Sequence, residues 1–242
     1  MAEFLVCIPS AGRAEKVGQY TLSLFPNATL VVPPREVGAY QQATGLEVLP
    51  QKGSGVSAAR NTILDTFPGH DILMLDDDVR ELGVFVGGEK RPWNTPGEQQ
   101  KEIAKLFAFT RFKRGLVFSC APVPNAFYFS SKKPISTNLF LIGTFTGYLA
   151  KCPVRYDETM PVKEDYDFTV RVWLACGIAL RFNYVYCDAV HYTNRGGAVT
   201  TRNDDTEREA ISILLGRWPK YIKLNPRRQN EVLLKLPVRR KV

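Results

Sequence analysis

Three consecutive carboxylates, Asp76-Asp77-Asp78, stand directly after the apolar run DILML. Like charges about 4–6 Å apart disfavour joint ionisation unless a cation offsets them. In extended backbone Asp76 and Asp78 share one side, and a hard divalent cation takes oxygen ligands. An acidic turn that caps the next element is the plainer use of such a run. Two other clusters also follow strand-like runs. Ser10-Ala11-Gly12-Arg13 follows FLVCIP, and Gly53-Ser54-Gly55 precedes a helical segment bearing Arg60 and Asn61. Backbone amides at a glycine-rich helix start suit a phosphate. The loop has neither the Gly-Lys-Ser/Thr of a Walker A motif nor a GxGxxG pattern. Arg13 and Arg60 are placed to bond a phosphate or the nearby carboxylates, surface ion pairs being the simpler role. Glu164-Asp165 opens a helix whose dipole stabilises an ionised carboxylate, with Asp167 close by. His191 follows a strand, where a lone histidine is most often structural; the other histidine, His70, reads as a loop residue.

The elements that must position these groups alternate. FLVCIP (4–9), ATLVVP (28–33), LEVLP (46–50) and DILML (71–75) read as strands; residues 13–24, 36–44 and 55–67 read as helices. Four such steps argue a doubly wound α/β half. DILML is apolar inside, as a central parallel strand is. In such a sheet ligands bind beyond the carboxyl ends of the strands, where the three first clusters fall. In the second half TPGE (95–98) forms a capping box for a helix to about Phe112. Residues 115–122 and 178–187 read as strands, 138–150 as a β-rich apolar stretch, and 164–177 and 204–218 as helices. A soft boundary near residue 90 divides halves that share one sheet.

At 242 residues, 45% apolar and 23% charged, the chain is long enough for a sizeable core and too apolar for disorder. No apolar run reaches the roughly 18 residues of a membrane helix, and MAEFLVCIPSAGR lacks the basic start of a signal peptide. Five cysteines without a CxxC pair read as free thiols in a reducing, cytoplasmic setting. The net charge of +8 resides in residues 216–242, which hold nine basic residues and one acid; the first 215 residues balance. A neutral body with a basic end, interleaved with Trp218 and Tyr221, points to a polyanion, nucleic acid above all. Arg111, Lys113 and Arg114 form one smaller basic patch, and Lys132-Lys133 another. Phe127, Tyr128 and Phe129 read as core or as a stack for a flipped base.

The segments CIPSAGR, GVSAARN, ILMLDDDV, VKEDYDFTVRV and VHYTNRGG, in this order, resemble the motifs of a GT-A glycosyltransferase that uses a nucleotide-sugar. The chain is most similar to the TET-associated glycosyltransferase group, found largely in bacteriophages and thought to glycosylate hydroxymethylated pyrimidines in DNA. Asn194-Arg195-Gly196-Gly197 after His191, the small size and the basic tail carry that narrower likeness. The resemblance implies a single α/β domain of GT-A (Rossmann-like) type with a mixed, mostly parallel central sheet. That domain would span 1–215, with a nucleotide-sugar half at about 1–90 and an acceptor half at about 91–215, followed by a basic C-terminal extension at 216–242.

The resemblance also assigns roles. Pro9, Ser10 and Arg13, then Gly55, Arg60 and Asn61, and then Asp76 at the ribose, would bind the donor; Asp77 and Arg195 join them, although Asp-Asp-Asp departs from a plain Asp-x-Asp and leaves Asp77 open. Asp78 and His191 would hold Mn2+ or Mg2+, imidazole suiting manganese. Asp165, with Glu164 beside it, would be the general base of an inverting enzyme. The expected donor is a UDP-sugar and the expected acceptor 5-hydroxymethylcytosine in DNA. Arg217, Lys220, Arg227, Arg228, Arg239 and Arg240 would contact that DNA. The expected location is the cytoplasm, the host's if the gene is phage-borne, with no membrane and no obligate protein partner. Rival readings are transfer to a protein, glycan or lipid; a nucleotidyltransferase, which PSAGR fits poorly; and an inactive GT-A scaffold that binds nucleic acid, which has no need of Asp78, Asp165 and His191.

Overall fold

The computed structural model describes residues 4–190 and 203–238. The first half folds as alternating elements: β1 (Phe4–Pro9), α1 (Thr21–Leu24), β2 (Thr29–Val32), α2 (Val37–Thr44), β3 (Val48–Pro50), α3 (Gly55–Thr66) and β4 (Asp71–Leu75). These strands pair in parallel in the order β3-β2-β1-β4. Gly45 ends α2 in the left-handed region at φ 69°, a conformation a side chain resists.

The second half extends the same sheet. It comprises β5 (Val79–Val86), β6 (Glu89–Pro92), α4 (Pro96–Phe112), β7 (Val117–Ala121), β8 (Ile135–Ser136), β9 (Phe145–Tyr148), α5 (Glu164–Cys176) and β10 (Leu180–Ala189). α6 (Asp204–Arg217) and the hairpin of β11 (Ile222–Leu224) and β12 (Val232–Leu234) complete the chain. The full order is β3-β2-β1-β4-β9-β7-β10-β5-β6, with β8 on β10. β9 is antiparallel to both β4 and β7, so it restores their common direction. Among the described residues only β5, β8 and β9 oppose that direction in the main sheet. The expected mixed, mostly parallel α/β sheet is what forms.

Both faces of the sheet are covered. Ile63 and Leu64 of α3, Phe168 and Val172 of α5, and Ile211 and Leu214 of α6 fill one core. Ile103, Leu106 and Phe107 of α4 pack on Phe118, Phe145 and Phe182 in the other. Each such side chain contributes about 1.5–3 kcal/mol by leaving water. The basic end is part of this packing, since Ile222, Val232 and Leu236 are buried in the first core.

Two local expectations are corrected, and one hairpin is added. Residues 13–24 do not form one helix; a 3-10 turn at Val17–Gln19 and the short α1 are separated at Tyr20 (φ −125°, ψ −113°). The break frees Thr21 to serve the loop after β4. Of the stretch 138–150, only Phe145–Tyr148 is strand. The hairpin β5–β6, turning on Gly87 and Gly88 at φ 62° and 88°, is an addition to the expected elements. The Gly-Gly pair after the apolar run GVFV is its signal.

At Gly147 in β9 an added Cβ would lie 2.8 Å from Phe118 Cε2 and closer still to two other atoms of that ring. Gly147→Ala is therefore expected to lose about 1–3 kcal/mol in urea unfolding; an unchanged midpoint would contradict this packing.

Candidate functional site

β1, β3 and β4 are parallel, so Ser10, the Gly53–Gly55 turn and Asp76–Asp78 emerge on one edge. The three aspartates meet three different environments. Asp76 Oδ1 accepts a hydrogen bond from Arg60 Nη2 at 3.2 Å. Asp77 is buried and accepts from both Ser10 Oγ and Arg13 Nη1. Asp78 Oδ2 lies 3.5 Å from Arg13 Nη1, while its Oδ1 is buried without a hydrogen-bond partner among the described residues. Burial first, then the charges of Asp76 and Asp77, push Asp78 up to about 7.

The loop carrying them is held by its backbone. Thr21 Oγ1 donates to Asp76 O at 2.5 Å and accepts from Val79 N at 2.9 Å. Asp76 N donates to Thr144 O at 3.1 Å, and Val190 N donates to Asp78 O at 2.9 Å. Tyr40 organises the first loop: its hydroxyl is 2.6 Å from Ser10 Oγ and accepts from Arg13 N at 3.0 Å. Burial pushes Tyr40 up to about 12, so it keeps its proton.

Arg60 joins the edge to α5. Its guanidinium is buried, donates to Glu164 Oε1 at 2.7 Å as well as to Asp76, and lies 5.2 Å from the centre of the Tyr156 ring. Tyr156 stacks on Phe168 with centroids 3.9 Å apart and bonds Tyr148 OH at 2.6 Å. Gly143 is required here, since a Cβ would meet Arg60 Cζ at 2.8 Å. Asn61, expected at the donor, clamps the chain beside this site. It donates to Tyr156 O at 3.0 Å and Glu158 Oε1 at 2.8 Å and accepts from Tyr156 N at 2.8 Å. Gly55 sits at φ 83° with open space where a Cβ would project.

α5 begins after Lys163, which is in the left-handed region at φ 59°. Glu164 shares Arg60 with Asp76, so the first turn of α5 lies one guanidinium away from the β4 loop. Asp165 Oδ1 accepts from Tyr166 N at 3.0 Å. Asp167 is fully buried and accepts from Arg171 Nε at 2.5 Å, Arg217 Nη1 at 2.8 Å and Trp218 Nε1 at 2.7 Å. Asp167 thus anchors α5 to the end of α6.

The basic residues divide likewise. Arg217 also donates to Asp157 Oδ2 at 2.5 Å, and hydrogen bonds from Thr159 and Arg217 lower Asp157 to about 2 against the burial that opposes them. Arg228 pairs with Glu231 at 3.1 Å, whereas Lys220 and Arg227 are exposed. His191, Arg195, Arg239 and Arg240 lie outside the described residues. Thr21, Tyr40, Gly143 and Tyr156 are additions to the expected site residues; none sits in a motif, and only folding brings them to the edge.

The aspartate loop suits a divalent cation. Asp78 Oδ1 is an orphaned buried acceptor and Asp76 faces the same charge cluster. Among the described residues no three His, Cys, Asp or Glu side chains converge as a metal site; of the two expected ligands Asp78 stands here and His191 falls outside that set.

A family model described as TET-Associated Glycosyltransferase matches residues 4–197. No curated protein matches the chain. Among solved structures, CMP:2-keto-3-deoxy-manno-octonic acid synthetase complexed with CTP is similar at TM-score 0.41 and 11% identity, over 75% of this chain and 89% of that one. Glucosyl-3-phosphoglycerate synthase from Mycobacterium tuberculosis, in complex with Mn2+, UDP and glucosyl-3-phosphoglycerate, is similar at TM-score 0.45 and 11% identity, over 92% and 83%.

The folded-state rise of Asp78 to about 7 fixes a sign. Between about pH 4 and pH 7 the native state holds a proton there that the unfolded chain has released, so stability falls as pH rises across that window. In chelator, Asp78→Asn is expected to remove this fall and to raise the melting temperature above pH 7. Equal pH profiles for parent and variant would refute the assignment.

Proposed function

The chain belongs to the TET-associated glycosyltransferase family, and on that premise we propose that it moves a sugar from a UDP-sugar to the hydroxyl of 5-hydroxymethylcytosine in DNA. The observation that carries the reading is Arg60 set between Asp76 at the end of β4 and Glu164 at the start of α5. One buried cation ties the donor edge to the helix that bears the proposed base.

In this reading the uridine diphosphate lies along the carboxyl edge, with its phosphates toward the amides opening α3. Asp76 faces the ribose, and Ser10, Asp77 and Arg13 hold the first loop in shape. Asp78 and His191 would hold a divalent cation, which when bound would supply positive charge against that of the departing diphosphate. Asp165 accepts the proton of the hydroxymethyl group as its oxygen bonds to the anomeric carbon. The bond from that carbon to the diphosphate oxygen breaks, and its electron pair leaves with UDP. DNA phosphates are met by Lys220, Arg227 and the basic residues at the end of the chain.

The test is incubation with UDP-sugars, Mn2+ or Mg2+, and DNA containing 5-hydroxymethylcytosine, followed by digestion and mass spectrometry of the nucleosides. Asp78→Ala should abolish turnover. Asp165→Asn should lower kcat by about 10²–10⁴ with little change in donor affinity. Full activity in EDTA would remove the cation from the mechanism. UDP release that requires a protein, glycan or lipid, with the DNA unmodified, would move the acceptor to that class.

The basic residues give a separate prediction. Lys220→Gln with Arg227→Gln should flatten the salt dependence of DNA binding by about 0.9 for each phosphate no longer neutralised. Arg217→Gln should instead lower stability, because it strips buried Asp167 and Asp157 of a shared partner. A flattened salt slope with unchanged stability in Arg217→Gln would contradict this division.

A further inference from the structure

The segment between β7 and β8 presents an aromatic pair to solvent. Phe127 is 85% exposed and Tyr128 72% exposed, so neither belongs to the core. Two adjacent exposed aromatics differ from the singly scattered apolar side chains that a surface ordinarily carries. Their rings meet edge to face at 5.3 Å, a geometry that holds both in place.

The support beneath them is rigid. Asn125 Oδ1 accepts from Phe127 N at 2.9 Å, and Tyr128 N and Phe129 N donate to Asn125 O and Ala126 O at 3.1 and 3.0 Å. The next residue turns inward: Phe129 stacks on Phe85 of β5 at 5.6 Å, and Phe85 meets Tyr186 of β10 at 5.1 Å. Downstream, Asn183 Nδ2 donates to Lys133 O and to Ser136 Oγ, each at 2.8 Å. Pro122, Pro124 and Pro134 restrict the backbone further. The aromatic pair is thus held on β5, the strand that starts immediately after Asp78, and on β10, whose exit is bonded to Asp78 O.

The charge of the segment selects the occupant. Residues 121–134 carry Lys132 and Lys133, both exposed, and no acid. Exposed aromatic faces beside lysines fit a strand that offers stacking bases on a phosphate backbone. We infer that Phe127 and Tyr128 form a stacking platform for bases of the acceptor strand, with Lys132 and Lys133 on its phosphates. This rests on the reading of DNA as acceptor. A base turned out of a duplex costs a few kcal/mol of lost stacking, and a platform that restacks bases offsets part of that cost.

The test compares binding of oligothymidylate with an abasic strand of equal length and charge. The parent should prefer the strand with bases. Phe127→Ala with Tyr128→Ala should lose about 5-fold to about 150-fold for each base stacked, leave abasic binding unchanged and keep the urea midpoint. The Leu pair at the same positions keeps apolar area but not the ring faces, and should lose the preference as well. Lys132→Gln with Lys133→Gln should lower the salt slope on both strands by about 0.7 for each phosphate released. Leu variants that bind like the parent, a parent indifferent to bases, or a parent dimer that the Ala variant dissociates with DNA binding unchanged would each overturn the platform. Glycosylation of 5-hydroxymethylcytosine DNA is measured in parallel. A parent that modifies the DNA without base preference loses the platform alone. A parent with base preference that leaves the DNA unmodified keeps the platform and loses that acceptor.

Discussion

Arg60 is the interaction on which the rest of the site depends. Its guanidinium is almost wholly buried, and burial opposes its charge. Tyr156, Asp76 and Glu164 outweigh that opposition and hold the arginine firmly charged. A buried cation demands partners in fixed places, and here they come from three separated stretches of chain. Removing one carboxylate leaves charge stranded in low dielectric, which costs about 3–5 kcal/mol. The constraint shapes the neighbours: Gly143 must lack a side chain, and Tyr156 must stack on Phe168 to present its ring.

Charge balance follows from the same geometry. Asp76, Asp77, Asp78 and Glu164 bring four carboxylates to the edge, against the two guanidiniums of Arg13 and Arg60. Asp77 is neutralised by contact, and Asp76 and Glu164 share Arg60. Asp78 is left with the weakest pairing, an orphaned oxygen and an affinity for protons near neutrality. Among the described residues a proton answers this electrostatic deficit, and the divalent cation of the proposed reaction would answer it as well. The middle aspartate, whose role the motif leaves open, fastens the loop after β1 to the loop after β4.

How legible this is depends on the range of the interactions. Strands β1 to β4 and helices α3 to α6 are readable because their apolar periods and caps are local. Arg13, Arg60 and the aspartates are readable because they sit in motifs beside those elements. Thr21 is not, since its value lies in a bond to Asp76 O, 55 positions away. The same bond explains why the helix expected over 13–24 breaks at Tyr20. Tyr40 and Tyr156 are core aromatics outside every motif; their hydroxyl or ring contacts with the site exist only after folding.

Charge is the least legible quantity. Counting places the whole surplus in residues 216–242, and a count treats Arg217 and Lys220 alike. In the fold Arg217 reaches two carboxylates and its neighbour Trp218 caps the same Asp167, whereas Lys220 faces water. Part of the basic end therefore serves as a fastener. Ile222, Val232 and Leu236 seat it in the core beneath α5 and α6, and Arg217 locks α5 from behind while Arg60 locks it from the front. The helix that starts with Glu164 and Asp165 is thereby fixed on two sides of its first turn, at Glu164 and at Asp167. A carboxylate base gains from such fixing because its orientation is set before the acceptor arrives. The exposed charges and the aromatic step between β7 and β8 take no part in these contacts, so the proposed polyanion would meet them without disturbing the edge proposed for the donor.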